Sequence, residues 1–485
     1  MSENETTPIK EIKEQGQEKP TYIPLVERVF QALELETIKP PPAGEKHIYR
    51  NCKINHVLWK NTLIEGSLIL NRCSIKKWNL EQSTFQLGLF VHFCNFSEDF
   101  SLQKIIHQQY CKYERNHFHG KVLVQHSQFQ WGLYLHGSTL HNTSRFEDCA
   151  FWGHTKFDHI QVLQRFEASR CQFGELPQKM PWFKTLFSNA HFDYIAIFQD
   201  CEFYFPTNFR RAHFKEEVKL INPKFHDIVI FENARFYDLL RIKGIVRNPQ
   251  KTYMHFGGIQ LEKIKVDYEE LASMLLCLHP IQYEQYLKSI WEEKENYKDK
   301  NDPTTIAMVK KNYEQAEYVR YEEASQTLAE LNRAFHDTFD EAGEDWSYVS
   351  QRRLERKHLF AQKSFGAGFW NLVLDVSCRF GTSPLIVLRT AIISLTLFTV
   401  YFWIHPEKFG PTADFPTEHL NNGEIISMPF MEALIFSFQV FTSSELVPHI
   451  EPKPVLNPWM MVESVVGYII MMLLVITLSR KVIRS

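Results

Sequence analysis

The sequence predicts a chain of three structured parts: a β-solenoid over residues 47–247, an α-helical hairpin over 261–363, and a two-helix transmembrane module over 368–485 with a re-entrant helix. Three observations support this division. A short repeat of small and aromatic residues fills the first half. The middle is rich in Glu, Lys, Gln, Ala and Leu. Two apolar stretches of membrane length lie near the C-terminus.

Residues 1–46 are predicted to be a disordered N-terminus and a linker, because the first of these residues are polar and 39–44 are rich in proline. A short helix is expected over residues 22–38.

The solenoid is predicted from a small residue that stands two positions before an aromatic or aliphatic residue. Most of these pairs are spaced by 11 or 22 residues, and a second Phe often lies five positions earlier. The pairs include Ser83-x-Phe85, Cys94-x-Phe96, Ser127-x-Phe129, Cys149-x-Phe151, Cys171-x-Phe173, Cys201-x-Phe203 and Ala234-x-Phe236. A fixed short period is typical of a solenoid in which each coil stacks its Phe on the next. Residues 102–121 break the phase, so we expect an inserted loop there.

These pairs resemble pentapeptide-repeat proteins over residues 47–243, which implies a right-handed β-helix. Steps of five and six residues alternate here, whereas the family keeps a strict five. Mimicry of duplex DNA, one activity of such solenoids, needs an acidic face, but residues 47–247 carry 25 Lys/Arg against 18 Asp/Glu. We therefore expect a cytosolic protein partner or a rigid spacer role, and no nucleic acid.

The middle of the chain is predicted to be helical. Asp302-Pro303 is a typical helix start, and this helix is expected to reach Arg333. A second helix is expected over residues 344–360, with Gly343 in the break, which gives an antiparallel hairpin.

A basic face and a short amphipathic helix are expected next to the membrane. The basic face consists of Arg352, Arg353, Arg356 and Lys357. It is either simply solvated or binds lipid headgroups. Residues 368–380 are expected to lie on the inner leaflet.

Two stretches, 384–404 and 458–479, are each about 20 residues long, enough to span a bilayer, whereas 428–441 is too short. The loop 405–457 carries seven Asp/Glu and two Lys/Arg, while both flanks of the module are basic. The chain is therefore expected to be a multi-pass protein of the plasma (inner) membrane with both termini cytoplasmic. Arg389 either snorkels to the headgroups or is a functional charge within the membrane.

The membrane region resembles bacterial proteins that join pentapeptide repeats to a two-helix potassium-channel module. The residues that carry this resemblance are Asp375, Gly381-Thr382, Pro384, Phe436-Ser437, Phe441-Thr442-Ser443, Gly467-Tyr468 and Ser479-Arg480-Lys481. The resemblance implies a homotetramer around one ion pathway, with a pore helix that points its C-terminal carbonyls at a central cavity.

The expected selectivity filter departs from that family. Potassium filters continue from Thr into Gly-Tyr-Gly, but this chain has Thr442, Ser443, Ser444 and Glu445. One hypothesis is a cation channel in which the first three residues line the pathway and Glu445 forms a carboxylate ring at the outer mouth. Gly467 would then be a hinge or a packing position of the inner helix.

The alternative hypothesis is a non-conducting, membrane-anchored scaffold with a degenerate pore domain. Under both hypotheses the partners are the lipid bilayer, further copies of the chain and a possible protein on the solenoid. No enzyme motif, cofactor site or metal site is expected, since the cysteines lack a CxxC pair and the histidines lack zinc-ligand spacing.

Overall fold

The computed structural model describes residues 25–174, 184–296, 315–411, 419–421, 424–425, 427–444 and 450–484. Three predictions concern residues outside these ranges: the disorder of residues 1 to about 20, the helix start at Asp302-Pro303, and the ion-pathway residue Glu445. The chain divides into two compact units, one of residues 1–193 and 198–205 and the other of 194–197 and 206–485.

A β-solenoid of about 10 turns fills the first half of the chain. Its short strands pair in parallel with those one coil later, as Asn95 does with His117. Up to residue 203 the strands are Val26–Gln31, Glu34–Thr37, Glu45–Arg50, Lys53–Lys60, Leu63–Ile64, Ser67–Asn71, Ser74–Glu81, Thr84–Phe85, Leu89–His92, Asn95–Phe96, Phe100–Gln103, Ile106–His107, Cys111–Glu114, His117–Phe118, Val122–Gln125, Gln128–Phe129, Leu133–Tyr134, Thr139–Leu140, Ser144–Glu147, Ala150–Phe151, Thr155–Lys156, Gln161–Val162, Phe166–Ser169, Gln172–Phe173, Thr185–Leu186, His191–Phe192, Ala196–Gln199 and Glu202–Phe203.

The solenoid starts earlier than predicted. The helix expected over residues 22–38 is wrong in its described part, since Val26–Gln31 and Glu34–Thr37 are strands that pair with Glu45–Arg50 and Lys53–Lys60. The proline-rich run 39–44 is a loop and turn within this first coil. The pairing of β-branched Val26 and Val29 with the next coil overrides the weak local helix signal.

Residues 102–121 form a regular coil, so the expected inserted loop is wrong. The spacing of small and aromatic residues is not visible there in the sequence, because Ile105 and Asn116 occupy two small-residue positions and His107 occupies a Phe position. Asn116 still fits, since its side-chain carbonyl accepts from the Cys94 N–H at 2.7 Å and its amide donates to the Val91 carbonyl at 2.9 Å.

A left-handed residue explains the alternation of five- and six-residue steps. Phe93, Lys104, Arg115 and His126, spaced by 11 positions, all have φ between +50° and +55°. Each stands directly before the small-residue position and makes up the sixth residue of the longer step. These left-handed residues form the corners of the coils, and each donates its N–H to a carbonyl of the next coil. The Arg115 N–H, for example, donates to the His136 carbonyl at 2.9 Å.

Aromatic rings stack along the inside of the first unit. The successive pairs Phe85–His107, His107–Phe129, Phe129–Phe151, Phe151–Phe173 and Phe173–Phe203 are near-parallel, with centroids 4.2, 5.4, 5.2, 5.1 and 4.8 Å apart. All six rings are buried. A coil cannot bury its ring alone, so the stack makes the coils stabilise one another.

The second unit contains the last coils, which run past the predicted bound at 247. Its solenoid strands are Thr207–Asn208, His213–Phe214, Val218–Ile221, Lys224–Phe225, Val229–Ile230, Arg235–Lys243, Val246–Arg247, Met254–His255 and Gln260–Lys265. Four further short strands follow among the helices: Phe409–Pro411, Leu420–Asn421, Glu424–Ile425 and Ile450–Pro452.

Eight α-helices of 5 to 28 residues follow the solenoid in the described part of the chain. They are α1 Tyr268–Ala272, α2 Pro280–Asn296, α3 Ala316–Asp337, α4 Glu341–Ala361, α5 Phe365–Cys378, α6 Pro384–Ile404, α7 Phe430–Thr442 and α8 Asn457–Arg484. Helices α6 and α8 are long and apolar enough to cross a membrane, and α7 is a shorter apolar helix.

Helix α3 covers the open edge of the last coil. The Arg333 side chain donates to the Leu261 carbonyl and the Thr338 hydroxyl to the Ile264 carbonyl, both at 3.0 Å. These bonds satisfy strand carbonyls that would otherwise face solvent. The helix therefore caps the solenoid.

Helices α3 and α4 form an antiparallel hairpin, with Gln351 of α4 donating to Ser325 of α3 at 3.4 Å. The expected break at Gly343 is wrong, because Gly343 lies inside the first turn of α4 and its N–H donates to the Asp340 carboxylate, the N-cap of that helix. Glycine is required there by packing, since a Cβ would lie 2.5 Å from the Phe335 ring.

Candidate pore module and its junction with the helical hairpin

Helix α7 packs between α6 and α8, and its N-terminal end lies beside the C-terminal end of α6. The rings of Phe430 and Trp403 are 6.0 Å apart, and one and a half turns further Phe436 contacts Phe402 and Phe409, each at 5.1 Å. This buried aromatic cluster fixes α7 along the second half of α6.

The segments that leave α6 and enter α8 are paired with each other. Phe409–Pro411 forms an antiparallel pair with Ile450–Pro452, and the Lys453 ammonium donates to the Glu407 carbonyl at 2.8 Å. The chain segment between the two strands, which includes α7, therefore starts and ends at the same end of the module.

The C-terminal end of α7 lies against the middle of α8. A Cβ at Gly467 would lie 2.1 Å from the Phe441 carbonyl oxygen, so only glycine permits this approach. Phe441 also belongs to a buried cluster with Val387 of α6 and Ile470 of α8. The contact identifies Gly467 as a packing position in this structure.

Three of the four predicted ion-pathway residues end α7 together. The Thr442 hydroxyl donates within its own helix to the Phe438 carbonyl at 2.7 Å and lies 2.8 Å from the Ser444 hydroxyl. Ser443 takes the left-handed conformation that ends the helix, φ +52°, and its hydroxyl is 3.4 Å from that of Ser464 on α8. Glu445 lies outside the described residues.

A buried carboxyl group that the sequence analysis missed lies beside this helix end. Glu463 of α8 is 0% exposed, and its Oε1 accepts a hydrogen bond from the Ser437 hydroxyl of α7. The same hydroxyl is 3.4 Å from the Leu395 carbonyl of α6. A single acidic residue within an otherwise apolar stretch was the available signal, since such residues are rare in membrane segments.

Helix α4 holds α5 through a buried carboxylate. Asp375 accepts from the guanidinium groups of Arg353 and Arg356, each at 2.9 Å. Burial alone would raise the pKa of Asp375, but the hydrogen bonds from the two arginines outweigh it and hold the pKa below its usual value. These two arginines of the predicted basic face are therefore neither simply solvated nor free for lipid headgroups. Arg352 pairs with Glu355 at 2.9 Å.

The same helix holds the C-terminal end of α8. The Lys481 ammonium lies 3.2 Å from the Glu341 carboxylate and 3.6 Å from that of Asp345. Arg480 lies 3.7 Å from Asp345 and stacks 5.1 Å from the ring centroid of Tyr348. The acidic N-terminal end of α4 thus contacts the basic C-terminal end of α8, an arrangement that both helix dipoles favour.

Arg389, in the first half of α6, is exposed and its guanidinium donates to the Val376 carbonyl of α5 at 3.4 Å. The neighbouring Thr390 hydroxyl donates to the Ser377 carbonyl at 2.9 Å. Both bonds satisfy carbonyls in the last turn of α5. They join α5 to α6 beside the Asp375 ion pair.

Comparisons with known proteins concern the solenoid. A model of the family described as "Pentapeptide repeats (9 copies)" matches residues 187–235. No curated protein and no solved structure matches the chain. The solenoid is therefore similar to pentapeptide-repeat proteins over this stretch, which supports the repeat-protein part of the resemblance.

Proposed function

We propose that the chain is an integral membrane, ion-channel-like subunit, a cation channel with a non-standard filter and a cytosolic solenoid. In this proposal α6 and α8 cross the bilayer and α7 is a re-entrant pore helix. The observation that carries it is the course of α7, which starts beside Trp403, ends against Gly467 halfway along α8, and is flanked by two paired strands.

The end of α7 has the chemistry of a cation pathway. The helix dipole puts negative charge at Thr442, and the next residues offer hydroxyl and carbonyl oxygens. Irregular backbone within a bilayer is tolerated only where it is buried in protein or lines a water-filled cavity. Thr442, Ser443 and Ser444 would line the pathway, and Glu445 would concentrate cations at its outer mouth.

The termini and the solenoid would lie on the cytoplasmic side of the plasma (inner) membrane. Basic residues end α8 and surround α5, which agrees with the positive-inside rule. Trp459 and Tyr401, with rings 4.9 Å apart, would sit at the opposite interface. The exposed side chains of Phe369, Trp370 and Val376 on α5 would contact the inner leaflet.

A homotetramer follows from the resemblance to two-helix channels, since one copy cannot enclose a pathway. Helix α4 would couple the cytosolic part to conduction, because it holds both α5 and the end of α8. The solenoid would then dock a partner protein or stiffen the assembly.

The second candidate is a non-conducting scaffold anchored by the same helices. It is favoured by the lack of glycine between Thr442 and Pro448 and by the Thr442 hydroxyl, which is already bonded within its own helix. Potassium filters need glycine because their backbone adopts conformations that a Cβ opposes.

Cation flux into liposomes that hold the purified full chain separates the two candidates. A channel gives flux that falls on Thr442→Ala or Glu445→Ala but persists in Thr396→Ala, a matched control at an exposed hydroxyl of α6. Absence of flux at every voltage contradicts the channel and favours the scaffold. A chain that stays soluble without detergent or lipid contradicts both.

A further inference from the structure

Glu463 is a buried carboxyl group that has one hydrogen-bond partner within the described part of the chain. It lies on α8 one turn before Gly467, and neither carboxyl oxygen reaches the surface. The Ser437 hydroxyl donates to Oε1. Among the residues that the structure describes, Oε2 has no hydrogen-bond partner.

No positive charge compensates this carboxyl group within the described part of the module. The other described titratable side chains on the three helices are Arg389 and Tyr401 of α6, Glu432 of α7, and Tyr468, Arg480 and Lys481 of α8 itself. Arg389 binds the carbonyl of Val376, and Tyr401 accepts from Lys408 at 3.0 Å. None of these groups has a hydrogen bond or ion pair with Glu463, and Arg480 and Lys481 instead pair with acidic residues of α4.

An unpaired carboxylate in such a site costs several kcal/mol, and a buried acid avoids this cost by binding a proton. The neutral acid keeps an oxygen that accepts from Ser437. Loss of the proton would place a full negative charge among the aromatic and aliphatic side chains that join α6, α7 and α8. Water or a cation would then have to enter, which requires α7 to move away from α8.

We propose that Glu463 is a proton-binding site of the three-helix module, protonated while α7 is packed against α8. The site adjoins the end of α7, since the next residue, Ser464, contacts Ser443, and Gly467 contacts Phe441. Proton release therefore loosens the segment Thr442–Ser444. The inference rests on the packing of α7 against α8 and needs no ion conduction, so it extends the proposed function without depending on flux.

Infrared spectroscopy of the full chain in lipid vesicles tests the proposal, because a protonated carboxyl group has a carbonyl stretch that carboxylates lack. We expect this band at neutral pH in the wild type, its loss in Glu463→Gln, and a shift to higher frequency in Ser437→Ala, where the hydrogen bond is removed. Glu451→Gln, a matched change at an exposed residue, should leave the band unchanged.

The wild-type protein alone also decides the question if a variant fails to fold. The band should shift in heavy water and disappear only at alkaline pH. A wild-type spectrum without the band at neutral pH, or one that Glu463→Gln does not change, overturns the proposal. Absence of cation flux would leave the band in place, so failure of the channel proposal is distinguishable from failure of this one.

Discussion

His107 occupies a position that phenylalanine holds in the neighbouring coils. Its ring lies between Phe85 and Phe129, its Nε2 is 3.4 Å from the Cys111 thiol, and its Nδ1 is buried with no partner in the described structure. Burial lowers the pKa of His107 from 6.5 to about 3. Between these two pH values the unfolded chain binds a proton at His107 and the folded chain does not. The free energy of unfolding therefore decreases as the pH falls from 6.5 towards 3.

We predict that His107→Phe raises the free energy of unfolding by about 1 kcal/mol at neutral pH, because it removes an unpaired buried nitrogen and completes the ring stack. The gain should be larger at about pH 4, where the wild type loses stability. Chemical denaturation of the detergent-solubilised protein at both pH values measures it. An unchanged pH dependence in the variant would contradict this account.

The small and aromatic positions of the coils could be predicted from sequence because they face the interior, where only size and shape fit. The left-handed corners could not, since their occupants include Phe93, Lys104 and Arg115, which rarely adopt positive φ. Backbone bonds to the next coil impose that conformation, and sequence shows no sign of them. Asn116 was missed because it is larger than the serine or cysteine usual at this position, although its side-chain oxygen accepts from the Cys94 N–H as the Ser127 hydroxyl accepts from the Ile105 N–H.

At the scale of the element, α6, α7 and α8 were predictable as apolar helices. The lengths of their apolar runs, about 20 residues for α6 and α8 and clearly fewer for α7, are visible directly in the sequence. The mutual contacts of these helices were not predictable. Asp375 and its partner Arg353 are 22 residues apart and lie on different helices. The hydrogen bond between Ser437 and Glu463 likewise joins two helices across a loop, so no periodicity links the two residues.

The close approach of α7 and α8 predicts that Gly467→Ala weakens the module. The added Cβ would lie 2.1 Å from the Phe441 carbonyl, so the helices must separate, at a cost of about 1–3 kcal/mol. Thermal unfolding in detergent measures this loss. Gly366→Ala is the matched control, because nothing lies within 4 Å of its Cβ and alanine favours a helix. Equal melting temperatures for the two variants would show that the contact is not tight.

At the scale of the whole molecule, the joint between the last coils and their helical cap carries a buried ionic network. The ring of His255 lies 2.9 Å from the Glu323 carboxylate of α3 and 3.6 Å from that of Glu232, which also pairs with Arg210. Burial opposes the charged imidazole, but Glu323 and Glu232 outweigh it and raise the pKa of His255 to about 9. The folded state thus binds an extra proton between pH 6.5 and 9.

This joint is therefore expected to weaken in alkali: its contribution is complete below pH 6.5 and is lost as the pH rises through 9. We predict that Glu323→Gln costs about 1–3 kcal/mol at neutral pH and flattens this dependence. Hydrogen exchange of α3 in the full chain measures both effects. The control is Glu322→Gln at the exposed neighbouring residue, which should change neither the stability at neutral pH nor its pH dependence. A wild-type cap equally protected at neutral pH and at about pH 9.5 would refute the charged form of His255.

Helix α4 joins the helical hairpin both to α5 and to the end of α8, so its contacts decide whether the hairpin and the three helices α6, α7 and α8 can move independently. The Lys481 and Glu341 side chains are partly exposed, at 42% and 39%, and such a pair is worth at most about 1 kcal/mol. The Asp375 carboxylate is nearly buried and accepts from two arginines, so this ion pair is stronger than that of Lys481 and Glu341. Motion of α4 should therefore reach α6, α7 and α8 chiefly through α5.

We predict that Asp375→Asn costs about 1–3 kcal/mol, because Arg356 loses a charged partner, and that it speeds hydrogen exchange in α5 while α6 stays protected. Since its pKa is lowered in the folded chain, this contribution is present at neutral pH and is lost in acid, as the carboxylate binds a proton. Glu355→Gln is the control, because it removes the carboxylate that pairs with Arg352 and is more exposed than Asp375. Its free energy of unfolding should stay within about 0.5 kcal/mol of the wild type. Similar exchange of α5 in the two variants would mean that α5 is held by apolar contacts instead, and that α4 acts on the module only through the end of α8.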